Sequence, residues 1–217
     1  MKVMNKVLVF ICLIIFVSSC SFYGIWGSGI KESETRSVES FNRVNFDSVA
    51  DVTITQGDYQ SIVITGDDNL LKYIKTVVTD GELRIYNTED YNTNIGISIE
   101  IVVPVINRVK LSGVGDIDLT NIYSDSLDLE LKGVGNINGS GYATILNAEL
   151  SGVGDINLSN LNCTSGDVDL SGVGDIKVRA DSTLNLSHTG VGDIKYYGTA
   201  SIYILNDDGI GKISCGN

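Results

Sequence analysis

The chain has 217 residues, a formal net charge of −12, and a composition that is 43% hydrophobic, 19% charged and 7% aromatic. That is enough apolar matter for one domain core and too much for wholesale disorder. Its 24 glycines stand beside a single proline, which points to repeated tight backbone positions inside regular structure and not to a flexible linker. The acidic balance excludes nucleic acid as a partner, because phosphate binding needs clusters of Lys and Arg. One His and four Cys exclude most zinc, haem and His-based hydrolase constellations.

Residues 1–19 read as a bacterial export signal. Lys2 and Lys6 form a positive n-region, and Val7 to Val17 is an apolar stretch of eleven residues, too short to span a bilayer as a permanent helix. The stretch ends at Val17-Ser18-Ser19-Cys20, which resembles a lipobox. That resemblance implies cleavage before Cys20, diacylation of its thiol and acylation of the new amino terminus, a palmitate-type anchor. Each buried methylene then adds about 0.8 kcal/mol of membrane affinity. The alternative is a plain secretory signal with an incidental Cys. Ser21 follows Cys20 where an Asp would suggest inner-membrane retention in some bacteria, so an outer-membrane lipoprotein is expected, on either the periplasmic or the surface face. Residues 20–40, Gly/Ser-rich and then charged, read as a lipid-anchored linker with no clear period.

Residues 41–217 read as one domain. Within 41–110 the alternating pairs Val52/Ile54, Ile62/Ile64, Leu83/Ile85 and Ile97/Ile99/Ile101/Val103 suggest less regular β structure. Gln56-Gly57-Asp58 and Asp80-Gly81 are turn signals. Asp67-Asp68-Asn69 before Leu70–Ile74 suggests one short helical turn. Pro104 follows a strand, where a lost amide donor is tolerable.

From residue 111 one pattern recurs six times: LSGVGDI from Leu111, LKGVGNI from Leu131, LSGVGDI from Leu150 and again from Leu170, HTGVGDI from His188, and DDGIGKI from Asp207. The first glycines are separated by 20, 19, 20, 18 and 19 residues, the signature of a solenoid. Leu146, Ala148, Leu150, Ile156 and Leu158 share one parity, with polar residues on the other, so the units are strands and not helices. The expected fold is all-β, a parallel β-helix with about 19 residues per coil and coils stacked about 4.8 Å apart. Six coils would make a rod roughly 29 Å long. The glycines form a ladder: Gly113/Gly115, Gly133/Gly135, Gly152/Gly154, Gly172/Gly174, Gly190/Gly192 and Gly209/Gly211. By parity they face inward at a bend. Either a side chain there would collide with the opposite wall, or the bend needs a torsion that only glycine adopts freely.

The order Phe41-x-x-Val44, Ile54-Thr55-Gln56-Gly57, Asp80-Gly81-Glu82-Leu83-x-Ile85, Ile101-x-Val103-Pro104 and then the repeated Leu-Ser-Gly-Val-Gly-Asp-Ile resembles the bacterial family called putative auto-transporter adhesin, head GIN domain. The resemblance covers roughly four-fifths of the chain. It implies a right-handed β-helical domain, exported and often lipid-anchored. The chain departs from the family name in carrying no C-terminal run of alternating strands for a translocator barrel.

Asp116, Asn136, Asp155, Asp175 and Asp193 occupy equivalent outward slots, with Lys212 ending the series. Carboxylates about 4.8 Å apart repel by roughly 1 kcal/mol per pair in water, so a cation or ligand edge is one reading. Satisfaction of the backbone at the glycine bend is the favoured one. The repeat resembles the calcium β-roll, but GVGD is one residue short and the period is double, and no metal or cofactor is expected. Val114, Val134, Val153, Val173, Val191 and Ile210 form an outward apolar interface stripe if the strands run straight. They are core if the bend inverts parity, the arrangement narrowly favoured. His188 takes a slot that Leu fills in earlier coils and is expected to be structural. Cys163 and Cys215 lie three coils apart, roughly 14 Å along the axis and beyond disulfide reach. No disulfide between them is expected, and both thiols are placed in the core.

The functional expectation is an envelope-anchored lipoprotein whose non-catalytic β-helix binds an envelope protein or glycan. A structural or self-assembling module with homo-oligomer contacts is the alternative. A polysaccharide-acting enzyme, with Asp175 beside Arg179 or Lys195, is the weakest reading, because steps of 18–20 residues leave nothing for cleft-forming loops.

Overall fold

The computed structural model describes residues 24–216. Residues 1–19 and Cys20 lie outside the described residues. Within them the chain is β structure with one 3₁₀ turn at Leu71–Tyr73, placed where the Asp-Asp-Asn signal predicts it.

The repeats wind as their spacing predicts. Four long strands, Ile117–Leu131, Ile137–Leu150, Ile156–Leu170 and Ile176–His188, each make a whole coil and pair in parallel with the next. Ile194–Gly198 with Ser201–Asp207, and then Ile213–Cys215, continue the stack. Residues about nineteen apart become vertical neighbours. Leu111, Leu131, Leu150, Leu170 and His188 form one buried column, and Ile117, Ile137, Ile156, Ile176 and Ile194 another. Stacking identical apolar residues fills the core layer by layer, which is why the repeat tolerates little variation at these slots.

Unequal repeat lengths are absorbed around one corner in the coils up to Ile176–His188, and by a bulge at Leu205 in the last coil. Thr120 and Asn121 occupy a place where the next coil has Ser140 alone, and the register shifts there. Asn121 takes φ 59° and Gly141 φ 127° at this turn. The steps of 20 and 19 residues therefore leave both faces in register.

Of the two causes expected for the glycine bend, the torsion holds, with the second glycine of each pair at φ 133–146°, and the opposite wall does not. A Cβ on Gly133 would lie 2.0 Å from the carbonyl oxygen of Gly113, and one on Gly135, at φ 138°, 2.0 Å from that of Gly115. Both glycines thus point along the rod at the backbone of the coil beneath. The upper coils correct the inward aim in the same way. A Cβ on Gly174, Gly192 or Gly211 would meet no opposite wall. It would strike the carbonyl oxygen of Gly154 (1.8 Å), Gly174 (2.0 Å) or Gly192 (1.8 Å), respectively. Oδ1 of Asp155, Asp175 or Asp193 stands 3.0–3.1 Å away on the same side. The reason is the backbone: φ of 139°, 140° and 146° at these three residues turns the missing side chain down the stack and away from the core. Gly174 and Gly192 are accordingly half-buried, and Gly211 is exposed in the outermost coil.

The valine between each pair of glycines faces outward. Val114, Val134, Val153, Val173 and Val191 are 44–50% exposed and Ile210 is 73% exposed, so the core placement is corrected. The bend does not invert parity, because the valine of each Gly-Val-Gly keeps a parallel bridge to the valine of the next coil. The amide of Val134 donates to Gly113 (3.0 Å), and that of Gly135 to Val153 (3.0 Å).

The N-terminal part winds out of order. Arg43–Asp47 lies between Arg108–Leu111 and Glu82–Asn87, and Asp51–Gln56 lies between Ile117–Leu131 and Ser98–Val103, all parallel. The coil that comes second in sequence, 82–103, therefore sits outside the first. Three antiparallel strands close this end. Ile74–Thr79 pairs with Glu82–Asn87 through the Asp80-Gly81 turn, both residues at positive φ. Ser61–Asp67 pairs with Ser98–Val103, and Lys31–Arg36 pairs with Ser61–Asp67.

That last pairing corrects the linker reading. Residues 31–36 form an edge strand, and Ile25–Trp26 pairs with Tyr91–Asn92. Five of the six residues in Lys31–Arg36 are exposed, so the strand buries neither face and carries no period-two signal. The carboxylate of Asp67, 1% exposed, accepts hydrogen bonds from the Gly29 amide (2.6 Å) and the Thr93 hydroxyl (2.5 Å) and pins this segment down.

Candidate binding groove

The outward side chains between Ser126 and His188 stack into two columns. Asp128, Asn147, Asp167 and Asn185 form one; Glu130, Glu149, Asp169 and Ser187 form the other. Between them runs a groove of about 540 Å³ over the backbone of Leu129, Ala148 and Val168, whose side chains are buried in the core, with Arg108 at one end and Leu205 at the other. Strand alternation dictates this arrangement, since inward leucines at every second position force their neighbours outward.

The columns are cross-linked along the axis. Asn147 Nδ2 donates to Asp128 Oδ1 (2.7 Å) and Asn185 Nδ2 to Asp167 Oδ1 (2.6 Å). Alternating Asp and Asn replaces like-charge repulsion with a hydrogen bond. The second column solves the same problem with cations. Arg108 donates to Glu130 Oε2 at 2.9 Å, Lys110 lies 3.5 Å from it, and Lys132 closes on Oε1. Burial pushes the Glu130 carboxyl up, but the hydrogen bonds from Lys132 and Arg108, with the charge of Lys110, outweigh it and hold the group below its ordinary value. Glu149, Asp167 and Asp169 have no such basic partner within ion-pair distance among the described residues. They leave the middle of the groove an acceptor-rich surface.

The Asp ladder lies at the glycine bend, apart from the groove lining. The amide of Asn136 donates to Asp116 Oδ1 (2.8 Å), that of Asp155 to Asn136 Oδ1 (3.0 Å), that of Asp175 to Asp155 (2.8 Å), that of Asp193 to Asp175 (2.8 Å), and that of Lys212 to Asp193 (2.9 Å). Each side chain thus caps the amide of its own successor. No group of three or more His, Cys, Asp or Glu that could hold a metal occurs among the described residues.

Sequence reasoning missed a seventh rung. Ser48-Val49-Ala50-Asp51-Val52 stacks beneath Gly113-Val114-Gly115-Asp116-Ile117, with Val49 bridging Val114 and Asp51 Oδ1 accepting the Asp116 amide at 3.2 Å. Side chains fit here because the next coil outward replaces the tight bend with an excursion from Asn87 to Ile97 that pairs with Ile25–Trp26. Ser48 Oγ uses the space to donate to Asn87 (2.5 Å), and Tyr91 donates to the Val49 carbonyl (2.5 Å). The groove was missed as well. Its signal is the tetrapeptide before each bend, Asp-Leu-Glu-Leu, Asn-Ala-Glu-Leu, Asp-Val-Asp-Leu.

The remaining candidates separate. Arg179 donates to the Ser159 carbonyl (3.1 Å), and both it and Lys195 lie over the Tyr197 ring. No ion pair joins either to Asp175 among the described residues. His188 is fully buried, with Nδ1 3.2 Å from Asp207 Oδ1 and Nε2 unpartnered. Cys163 is a buried thiol pushed up to about 12, first by burial and then by the charge of Asp181. Cys215 is exposed, which corrects its core placement. It pairs above Tyr196 in the outermost strand, and no further strand pairs over it among the described residues.

The crystal structure of a putative adhesin from Bacteroides fragilis is similar at 28% identity with a TM-score of 0.73, covering 89% of this chain and 100% of that one. A putative adhesin from Parabacteroides distasonis shares the fold at 20% identity and TM-score 0.62, covering 88% and 99%. So does a putative lipid binding protein from the same organism, at 20% and 0.57, covering 89% and 99%. A search of curated proteins finds no match. The adhesin names describe adhesion-type domains of the cell envelope or surface and point to non-enzymatic roles. A family model described as putative auto-transporter adhesin, head GIN domain, matches residues 40–200, and the chain belongs to that family.

Proposed function

We propose that the chain is an envelope lipoprotein, anchored through Cys20, whose β-helix binds a glycan in the groove along Asp128–Ser187. The groove carries this reading. It runs across four coils and sets carboxylate acceptors beside amide donors in alternate coils, Asn147 next to Asp128 and Asn185 next to Asp167. Sugar hydroxyls, each donor and acceptor at once, complement that alternation. Its surplus of carboxylates favours neutral or amino-sugar glycans over uronate polymers, which it would repel. The sequence supports the anchor through the apolar stretch and Val17-Ser18-Ser19-Cys20.

A glycan array probed with the full chain tests the groove. Binding to neutral or amino-sugar glycans, reduced at least tenfold in Glu149→Ala/Asp167→Ala, is the expected result. Binding that survives the double substitution would remove the groove from the mechanism. Cys20→Ser should release the chain from the membrane fraction; retention there would remove the anchor.

A further inference from the structure

The C-terminal coil of the rod is paired on one side only. Ser201–Asp207 bonds to Ile176–His188, and Ile213–Cys215 to Ile194–Gly198, with no further strand on either among the described residues. Tyr203 is 56% exposed, Ile204 55%, Leu205 70% and Ile210 73%. Ile204 stands in the core column above the buried Leu186, so the exposed surface is partly the cross-section of the core itself. Two such ends would bury on the order of 1,000 Å², about the least that a specific interface requires.

The two ends are not equivalent as partners. Ser201–Asn206 contains no charge and no proline, and the only charge of the Ser201–Asp207 strand is Asp207 at its last position, so most of this edge lacks the usual protection of an edge strand. Besides Asp207, it is blunted by a bulge at Leu205, between the Leu186–Ile204 and Ser187–Asn206 pairs, which confines ladder pairing to Ser201–Ile204. The opposite end presents Lys31, Glu32, Glu34 and Arg36 on an exposed strand. Stacking the C-terminal end on that strand would desolvate charges against apolar side chains. Stacking it on its own copy joins apolar to apolar and closes at two.

We propose that a second copy of this chain docks on the C-terminal coil, end to end about a twofold axis. The chain enters at the far end of the rod, where Ile25–Trp26 joins the excursion of the 82–103 coil. In the dimer the two entry points therefore face away from each other. Given the Cys20 anchor proposed above, on which this step rests, the pair spans between two membranes: the partner in adhesion is another copy.

The test uses the full chain in detergent micelles, with mass from sedimentation. The wild type should have twice the protomer mass. Ile204→Lys and, independently, the bulged and more exposed Leu205→Glu should raise the dimer dissociation constant roughly tenfold or more. Val77→Lys, on an exposed position of the opposite edge strand, should leave the dimer intact. A monomeric wild type at tens of micromolar, or a dimer sensitive to Val77→Lys alone, overturns the proposal. The full chain in liposomes should cluster the vesicles, and Ile204→Lys should abolish the clustering. A dimer that does not cluster vesicles overturns the bridging step. A chain that fails to enter liposomes removes the anchor and leaves the dimer standing.

Discussion

The two ends of this rod solve the edge problem of a β-solenoid differently. At the N-terminal end the chain adds an out-of-order coil, three antiparallel strands and a buried aspartate. It finishes with a strand whose charges repel further pairing. At the C-terminal end the repeat simply runs on, and the last coil shows its apolar edge. Repetition lengthens a rod readily, since each coil reuses the same contacts. It supplies no means of stopping, which requires sequence unlike the repeat.

The sharpest contrast lies between equivalent slots in the two regions. In the repeat, a Cβ at position 154 would sit 1.9 Å from the Gly135 carbonyl oxygen at a φ of 133°. Gly154→Ala must therefore shift a coil and adopt a disfavoured backbone together, and a loss of about 3 kcal/mol or more is expected, read from the urea midpoint. Ala50 fills the matching slot of the first coil and is buried. Ala50→Gly there should lose only about 1 kcal/mol. Equal losses at the two sites would mean that the first coil stacks like the rest, and the contrast would fail.

The cap can be loosened without touching the repeat. Asp67→Ala removes the acceptor shared by the Gly29 amide and the Thr93 hydroxyl, at a cost of about 2 kcal/mol for hydrogen bonds to a buried charge. Amide exchange should accelerate across 25–36 and remain slow across 117–188. Uniform acceleration would show that cap and repeat unfold as one unit.

What the sequence disclosed follows the same division. The coils from residue 111 were legible because identical Leu, Gly and Ile slots recur at steps of 18–20 and only stacking explains such recurrence. The groove could have been read from the acidic residues flanking each inward leucine. The rung at Ser48–Val52 escaped because Ser and Ala replace the glycines where the coil beneath swings away. The order of the N-terminal coils escaped because alternation fixes which face a residue takes, never which coil lies next to which. The valines were misplaced for a related reason: parity holds only if a bend keeps its strand geometry, and that is a property of backbone hydrogen bonds. The need for glycine was legible at Gly174, Gly192 and Gly211, but its direction was not. Parity distinguishes inside from outside, and the obstacle there lies along the axis, in the carbonyl of the coil below.

A third contrast lies within the repeat, near its open end. His188 stands where Leu131, Leu150 and Leu170 stand below it, with Nε2 buried and unpartnered. A leucine fits beneath a glycine there, as Leu150 already lies beneath Gly172. His188→Leu should therefore stabilise the fold by about 1 kcal/mol, the lower range for relieving an unsatisfied buried polar atom. That would raise the melting temperature by about 2–4 °C. Asp207 loses its imidazole partner but is half exposed, so water replaces it. A loss of stability would mean that the His188–Asp207 contact holds the last coil in place.

The smallest effect is expected on the Asp ladder, and it decides what the ladder is for. Asn136 already stands in the series, its Oδ1 accepting the Asp155 amide at 3.0 Å and its Nδ2 donating to Asp116 at 2.9 Å. Asp155→Asn repeats that native exchange one coil higher. The Asp175 amide keeps an acceptor, and one of the stacked carboxylate contacts, worth roughly 1 kcal/mol of repulsion in water, disappears. Against this stands the weaker acceptor strength of a neutral amide. The two nearly cancel, so the urea midpoint should move by no more than about 0.5 kcal/mol. The stabilising effect of added salt, which screens the ladder's repulsion, should shrink. Millimolar calcium should leave wild type and variant equally unaffected, because each carboxylate is already engaged by the coil above it. A calcium-dependent gain in the wild type that Asp155→Asn abolishes would instead make the ladder a cation edge.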